Sequence, residues 1–256
     1  MPFSPEQLID ILQGYYYPFL RVSALLLAAP VFGASSFPVR ARVLLAVLVS
    51  ALIAPVLPAF ESVDPLSAEG VLLAAQQLLV GLAMGFIMQM AFSALVIAGQ
   101  VLAMTMGLGF ALSVDPQNGV QVPVLSQLYV IIATLVFLAI DGHLLLLLFV
   151  TDSFTLLPVG SADWHMDLLM NVVLWASQMF ASALLLALPA LTAVLLINVS
   201  FGVITRAAPQ LNIFAVGFPV TIMVGFIFVF LSLPSLVSML DTLFESSLDM
   251  AMRLVP

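Results

Sequence analysis

The sequence has no cysteine and no lysine, and it is short of charge of either sign. Its 256 residues include five basic residues, all of them arginine, and 13 acidic residues. Without cysteine the chain can form no disulfide, and it has no thiolate nucleophile and no cysteine-ligated metal site. The net charge of −8 argues against a nucleic-acid-binding protein, which needs a basic face. It also argues against a surface-bound protein, which needs basic amphipathic helices.

Long stretches of the chain carry no charged residue at all. Charged residues make up 7% of the sequence and hydrophobic residues 64%, whereas about a quarter of a soluble chain is charged. The uncharged stretches are 22–39, 43–60, 70–114, 116–140, 168–205 and 207–240. Only a bilayer, or a protein environment equally short of water, suits most of this sequence.

A membrane-spanning helix needs about 20 consecutive apolar residues. The sequence therefore predicts an all-α, integral membrane fold, a single domain over 1–256, with about six long apolar helices. These are predicted at about 15–34, 43–60, 71–98, 124–150, 170–200 and 212–238. Pro189 and Pro219 lie inside apolar runs and predict kinked helices. Arg40, Arg42 and Arg206 lie in connections that the positive-inside rule places in the cytoplasm.

The uncharged stretch 70–114 is too long for one simple span. As a single helix it would be about 68 Å long, roughly twice the hydrocarbon core. It is either a hairpin of two spans or one long or broken helix that runs beyond the bilayer. Small and amide residues recur on one helical stripe, which suits either tight helix packing or a wet lumen. These residues are Gly85, Gln89, Ser93 and Gln100, with Gly107 beyond them.

The sequence offers little catalytic chemistry. Its two histidines, His143 and His165, belong to no H-E-x-x-H pair, which makes a zinc hydrolase unfavourable. Asp141-Gly-His143 is typical of a polar turn at the start of a helix. Arg21 lies within an apolar run, where a buried charge is a functional candidate and snorkelling toward the interface is the alternative.

The stretch from Met104 to Gly119 combines three glycines, a turn signal and large apolar side chains. An apolar loop with glycine hinges is what a hydrophobic constriction would need, and an ordinary interhelix loop is the alternative. The candidate constriction residues are Met104, Met106, Gly107, Gly109, Phe110, Leu112, Val114, Asp115 and Pro116.

Five segments carry a resemblance to a known family. They are AAPVFGASSFPVRAR (28–42), QQLLVGLAMGFIMQMAF (76–92), GLGFALSVDP (107–116), FLAIDGH (137–143) and RAAPQLNIFAVGFP (206–219). Together the segments resemble the FliR family of flagellar export-apparatus proteins. The last of them, the signature segment (206–219), is the most specific. Its family residues are Arg206, Pro209, Gln210, Gly217, Phe218 and Pro219. The family usually has asparagine where this chain has Asp141.

The resemblance implies a subunit of the type III secretion export gate in the bacterial inner membrane, at the flagellar basal body. Such a subunit resembles a fusion of FliP-like and FliQ-like folds within a helical hetero-oligomeric assembly. Here 1–123 would be the FliP-like part, with a pore loop at 106–122, and 124–256 would hold helical hairpins including the FliQ-like part.

The same resemblance implies partners and a mechanism. With FliP-like and FliQ-like subunits the chain would form the entrance channel for unfolded flagellar proteins, and FlhB-like and FlhA-like proteins would join it. The assembled complex would be raised toward the periplasmic side. The pore loop would help to plug the closed channel, with Phe110 as the matching aromatic and Leu112 and Val114 near the place of a second one. No catalysis and no cofactor are implied.

A small-solute membrane transporter or channel subunit is the alternative function. It predicts inverted repeats and intramembrane ion-binding charges. The sequence shows no convincing repeat, and only Arg21 and Asp141 qualify as such charges. An intramembrane enzyme lacks a site.

Overall fold

In a computed structural model of the chain, residues 5–57, 63–108, 123–160, 166–208 and 213–253 are described. Over these residues the chain folds into α-helices, joined by turns and one short 3₁₀ helix (Ala54–Val56), and contains no strand. The predicted all-α fold is therefore confirmed. The helices are α1 (Pro5–Ala28), α2 (Val39–Ile53), α3 (Ala68–Thr105), α4 (Val124–Ala139), α5 (Gly142–Leu156), α6 (Met166–Ala207) and α7 (Ile213–Arg253).

Within the described part of the chain, four helical segments are long and apolar enough to cross a bilayer. They are Val39–Val56, Ala68–Thr105, Met170–Ala207 and Val216–Met252. The pair α4 and α5 adds a fifth if both helices are counted as one broken span. Four to five long apolar helices agree with an integral membrane protein. The predicted first span falls on α1, a helix of 24 residues.

The stretch 70–114 contains one continuous helix over its described residues. α3 has 38 residues, so its length is about 57 Å. It ends at Thr105, which decides between the two sequence interpretations in favour of one long helix. Its sides are apolar all round, and 67% of an 18-residue stretch within it is buried, as expected for a helix that packs against several others.

The span predicted over 124–150 is broken into two helices, α4 and α5, which meet at a bend of 65°. The chain breaks between Ala139 and Gly142, because Asp141 has φ of +58°, a left-handed conformation that cannot continue a helix. The N–H groups of Leu144 and Leu145 donate to the Asp141 carbonyl at 2.9 and 3.1 Å. Asp141 thus starts α5 through its backbone, as the polar turn predicted. Asparagine, the residue that the resemblance implies at this position, also adopts this conformation readily.

Prolines lie inside the long helices without ending them. Pro189 is inside α6, and Pro219 and Pro234 are inside α7. Each removes one backbone hydrogen bond from its helix. Pro189 and Pro219 thus lie within helices, and the kinks predicted there stay predictions.

The chain divides into two compact units. The first comprises Met1–Met90, Ile140–Ala176 and Phe244–Pro256. Its core packs α1 and the first part of α3 with α5. The side chains at its centre are fully or almost fully buried: Tyr17, Leu25, Met84, Ile87, Leu146, Phe154 and Phe244.

The second unit comprises Ala91–Ala139 and Ser177–Leu243. Its core packs the last part of α3 with α4, α6 and α7. Phe92 of α3 and Phe137 of α4 meet edge to face, with ring centroids 5.8 Å apart. Met106, Tyr129 and Leu240 are also fully buried there. This unit holds the end of α3, where the predicted pore loop begins.

Candidate functional site

The candidate site is the C-terminal end of α3. Gly107 lies just beyond this helix with φ of +84°, a left-handed conformation that glycine adopts without steric cost. The N–H of Gly107 donates to the Met104 carbonyl at 3.1 Å, and the N–H of Leu108 donates to the Ala103 carbonyl at 2.9 Å. These two bonds form a Schellman motif, a common helix stop. Gly107 therefore ends α3. From the sequence, Gly107 is interpreted as a hinge of the loop, and this role as a helix stop is not predicted.

Two side chains from other helices complete this helix end. The last four carbonyls of a helix have no partner within the helix itself. Asn198 of α6 donates from Nδ2 to the Thr105 carbonyl at 3.3 Å. The Thr221 hydroxyl of α7 lies 3.4 Å from the Met106 carbonyl and 3.0 Å from the Phe218 carbonyl of its own helix, so its single proton serves one of the two at a time. The Schellman motif and Asn198 thus give the carbonyls of residues 103, 104 and 105 a donor.

Sequence reasoning does not find Asn198 or Thr221. Each is a polar residue in a long apolar helix, which is a weak general sign of an interhelical hydrogen bond. Nothing in the spacing of either residue points to the end of α3. We call the end of α3 and the residues just after it, Thr105–Leu108, the loop root. Asn198 and Thr221 are additions to this candidate site.

Two glycines bring α7 close to the loop root. A Cβ atom on Gly225 would lie 2.5 Å from Cε of Met106, and one on Gly107 would lie 2.9 Å from Cδ1 of Phe218. Met106 therefore packs over Gly225, and the Phe218 ring packs over Gly107. The structure thus brings together the start of the predicted pore loop and Phe218 of the signature segment.

The chain returns to α3 at the start of α4. Ser126 donates from Oγ to the Val96 carbonyl of α3 at 2.8 Å. A Cβ atom on Gly99 would lie 2.5 Å from Cα of Ser126, so only glycine allows this approach. Gly99 and Gly107 are eight residues apart, or about 12 Å along a helix axis. Both flanks of residues 109–122 are therefore attached to the last part of α3.

Several predicted site residues lie outside the described part of the chain. In the pore loop these are Gly109, Phe110, Leu112, Val114, Asp115 and Pro116, and in the signature segment Pro209 and Gln210. The remaining predicted residues are placed. Met104 is half-exposed on α3. Arg206 is exposed in the last turn of α6, where the helix dipole favours a cation. Gly217 is buried in α7, and Pro219 is exposed.

The predicted stripe on α3 comprises Gly85, Gln89, Ser93 and Gln100. Gly85 is buried in the first unit, where a Cβ atom on it would lie 2.8 Å from Cβ of Ala28 on α1. At this position the stripe packs two helices. Gln89 and Gln100 are exposed and Ser93 is half-buried. A lumen along these residues stays a prediction.

Arg21, the other candidate, is fully buried in the first unit. Its Nε donates to Oε1 of Gln77 at 2.8 Å, and its Nη1 donates to Oγ of Ser153 at 3.0 Å. Its Nη2 donates to the Leu157 carbonyl at the end of α5, at 2.9 Å. The guanidinium carbon lies 3.9 Å from the centroid of the Phe154 ring. Snorkelling is therefore wrong for Arg21, whose charge faces a helix C-terminus and an aromatic ring, both favourable to a cation.

Among the described residues, no group of three or more histidine, aspartate or glutamate side chains is placed to hold a metal ion. His143 is half-buried beside the break between α4 and α5, and His165 lies outside the described residues. The described site is therefore one of helix ends and packing contacts.

Replacing Gly107 with alanine is expected to destabilise the chain. The left-handed conformation costs a non-glycine residue about 1–2 kcal/mol, and the Phe218 ring must also move. Gly160 is a matched control, because its φ is +91° but nothing lies within 4 Å of a Cβ atom there. In thermal unfolding of the detergent-solubilised chain, Gly107→Ala should lower the midpoint more than Gly160→Ala. Equal shifts would show that the Phe218 ring does not restrict this position.

Comparison with known proteins gives consistent matches over nearly the whole chain. Residues 12–247 match the family described as bacterial export proteins, family 1. The flagellar biosynthetic protein FliR of Escherichia coli K12 is 40% identical over 222 residues, covering 87% of this chain and 85% of that protein. FliR of Pectobacterium carotovorum is 36% identical over 250 residues, covering 98% and 95%. FliR of Bacillus subtilis is 31% identical over 230 residues, covering 87% and 86%. The chain therefore belongs to family 1 of the bacterial export proteins, the FliR family.

Proposed function

We propose that this chain is a subunit of the flagellar type III export gate. With FliP-like and FliQ-like subunits it forms the entrance channel for unfolded flagellar proteins, and FlhB-like and FlhA-like proteins join on the cytoplasmic side. Its 1–123 part corresponds to the FliP-like fold, and 124–256 includes the FliQ-like fold. The gate lies in the inner membrane at the flagellar basal body, raised toward the periplasmic side. The pore loop at 106–122 plugs the closed channel, with Phe110 as its main aromatic.

The broader function follows from the family and the helices. The related proteins are named for flagellar biosynthesis, and their family for bacterial export. The described chain has four to five long apolar helices. The chain is thus a membrane-embedded component of flagellar protein export, and the finer assignment above extends this.

One observation carries the proposal for the loop. The loop root is closed by a Schellman motif and is covered by Asn198, Thr221 and Phe218 of the two helices beside it. A plug must return to the same position each time the channel closes. A loop that starts from a fixed helix end favours this more than a loop that starts from a free hinge. The signature segment then acts in the gate through Phe218, by packing against Gly107.

Exposed apolar side chains support a place within an assembly. Within the segments Met170–Ala207 and Val216–Met252, 28% and 22% of an 18-residue stretch are buried. Phe180 of α6 and Phe230 of α7 are 59% and 71% exposed. Apolar faces of this extent require lipid or neighbouring subunits. Arg21, by contrast, uses its donors within the packed helices, so it does not favour the transporter alternative.

The test of the plug is Phe110→Ala. Burial of a phenylalanine side chain is worth about 1.5–3 kcal/mol, and 1.4 kcal/mol is a factor of ten in an equilibrium. Loss of the side chain should therefore raise the open fraction of idle gates by about tenfold or more. Ion leak through the membrane of cells that express the gate without substrate measures this.

Phe110→Leu is the matched control, since leucine keeps most of the apolar bulk and should leak little. Both variants must be recovered in equal amounts of intact complex. A wild-type leak from an assembled Phe110→Ala gate would contradict a plug at this residue.

The partners are tested separately, by native mass spectrometry of the tagged chain after co-expression with candidate export subunits. A single hetero-complex that holds this chain with FliP-like and FliQ-like subunits is expected. A monomer or a homo-oligomer that excludes them would overturn the gate assignment and restore the transporter alternative.

A further inference from the structure

The first unit contains an apolar groove that the export function does not use. It lies between α1, α2 and α3 and has a volume of about 280 Å³, close to the lower end of ligand pockets, which begin at about 300 Å³. Phe19 and Leu27 of α1, Val43 of α2 and Leu82 of α3 line it. Eight residues, or about 12 Å of helix, separate Phe19 from Leu27. The groove is therefore long enough and apolar enough to hold part of a hydrocarbon chain.

One charged side chain, Arg42 in the first turn of α2, also lines the groove. Its Nε donates to the Phe32 carbonyl at 2.8 Å, and its Nη2 donates to the Ala34 carbonyl at 3.3 Å. A guanidinium has five N–H donors, so three remain without a partner among the described residues. Arg42 is only partly buried, and the surface of the groove itself is almost entirely apolar. Arg42 therefore lines the groove with its aliphatic stem, and a headgroup would meet the remaining donors at the rim.

The connection between α1 and α2 holds this guanidinium in place. Val31 has φ of +69°, which is rare for a β-branched residue. The N–H of Phe32 donates to the Pro30 carbonyl at 2.8 Å, which closes a tight three-residue turn. This strained turn presents the Phe32 carbonyl to Arg42. The arginine is therefore positioned before any ligand binds.

Further positive charge lies at the same end of α2. Arg40 is exposed in the first turn. The helix begins after Pro38 without a side-chain cap and without an acidic residue in its first turn. Its first N–H groups and its dipole therefore add a positive potential that attracts anions. Arg42 and an uncapped helix start at Val39 thus border one apolar groove, and Arg40 lies in the same turn on another face of α2.

We propose that this groove binds an anionic phospholipid. One acyl chain lies in the groove against Phe19, Val43 and Leu82, and the phosphate accepts hydrogen bonds from Arg42, with Arg40 nearby. Basic pockets between membrane helices on the cytoplasmic side bind such headgroups, and the positive-inside rule places Arg40 and Arg42 on that side. The proposal does not depend on the export function.

The test compares two lipids that share their acyl chains. The full-length chain, with whatever export subunits copurify, is delipidated in detergent and titrated with dioleoylphosphatidylglycerol or dioleoylphosphatidylcholine. Bound lipid is counted by native mass spectrometry. The anionic lipid should bind at least about tenfold more tightly, and Arg42→Gln should remove about that factor, as loss of a charge-assisted hydrogen bond predicts.

Because Arg42 also holds the connection, a second variant tests the groove itself. Ala46 is buried at the groove, and Ala46→Phe should fill it and abolish lipid retention while leaving Arg42 in place. Leu48→Phe is the control, since Leu48 is 53% exposed and does not line the groove. Equal binding of the two lipids, or unchanged retention by Ala46→Phe, would overturn the proposal.

The remaining arms distinguish other occupants. Glycerol 1-phosphate alone should not displace the lipid. Displacement would indicate that the site binds only the headgroup and that the acyl chain does not occupy the groove, which would contradict the proposal. The chain has no cysteine, so Val43→Cys can be labelled singly with a photocrosslinker. A crosslink to phospholipid is expected, and a crosslink to a protein subunit in its place would refute lipid as the occupant.

Discussion

Replacing Arg21 with alanine is expected to destabilise the first unit strongly. The substitution leaves Oε1 of Gln77, Oγ of Ser153 and the Leu157 carbonyl without their buried donor. Each lost partner costs about 1–3 kcal/mol, and a cavity remains where the side chain was. A combined loss of about 3–5 kcal/mol should lower the unfolding midpoint by roughly 10 °C or more.

A graded set of variants separates the charge from its geometry. Arg21→Lys keeps the charge but cannot span three acceptors, so its midpoint should lie between those of wild type and Arg21→Ala. Ser23→Ala is the control, because Ser23 is only partly buried and its hydroxyl bonds to the Leu20 carbonyl of its own helix. It should shift the midpoint by less than about 2 °C. A wild-type midpoint for Arg21→Ala would show that these hydrogen bonds do not stabilise the fold.

The second large effect is expected at Gly81, where α3 crosses α1. A Cβ atom on Gly81 would overlap the carbonyl oxygen of Arg21 and lie 2.9 Å from Cβ of Ala24. Because the obstacle is backbone, the two helices must separate, and Gly81→Ala should cost about 3 kcal/mol. The separation also pulls Arg21 away from Gln77, which lies on α3 with Gly81. Heat-induced loss of the monodisperse peak in size-exclusion chromatography measures the effect.

Gly202→Ala provides a matched comparison on α6. Nothing lies within 4 Å of a Cβ atom at Gly202, and alanine in a helix interior gains up to about 1 kcal/mol over glycine. The same chemical change should therefore stabilise one helix slightly and break the packing of another. If both variants behave alike, the close approach at Gly81 is not limiting.

The sequence predicts the fold well where the residues of a single helix are sufficient to identify that helix. Most of α6, the start of α7 and the prolines Pro189 and Pro219 inside them follow from uncharged runs, but α7 continues to Arg253 through a charged stretch, beyond its predicted end at 238. The end of α3 could also be predicted, because a glycine after a helical run is a common helix stop. The apolar residues around Gly107 instead favour its interpretation as a hinge. The turn at Asp141 is visible in the sequence, but its left-handed backbone conformation is not, so one span is predicted where two helices lie.

Contacts between distant segments could not be predicted. Arg21 binds residues 56 to 136 positions away, and no local periodicity specifies which acceptors the fold supplies. The same holds for Asn198 and Thr221 at the loop root, because serine, threonine and asparagine recur along these helices without a distinguishing pattern. The G-x-x-x-G pair at Gly81 and Gly85 is a weak motif by itself. Only the structure shows that α1 packs closely against both glycines.

The attachment of both flanks of residues 109–122 to α3 has a mechanical consequence. If residues 109–122 form the proposed plug, traction by a passing polypeptide would enter the protein at the loop root and at the Ser126 contact with Val96 and Gly99. At the loop root the load would run along the axis of α3, whose own hydrogen bonds would resist it. On the other flank it would act on α4, so the hydrogen bond from Ser126 to Val96 and the close packing on Gly99 would decide how firmly α4 is kept on α3.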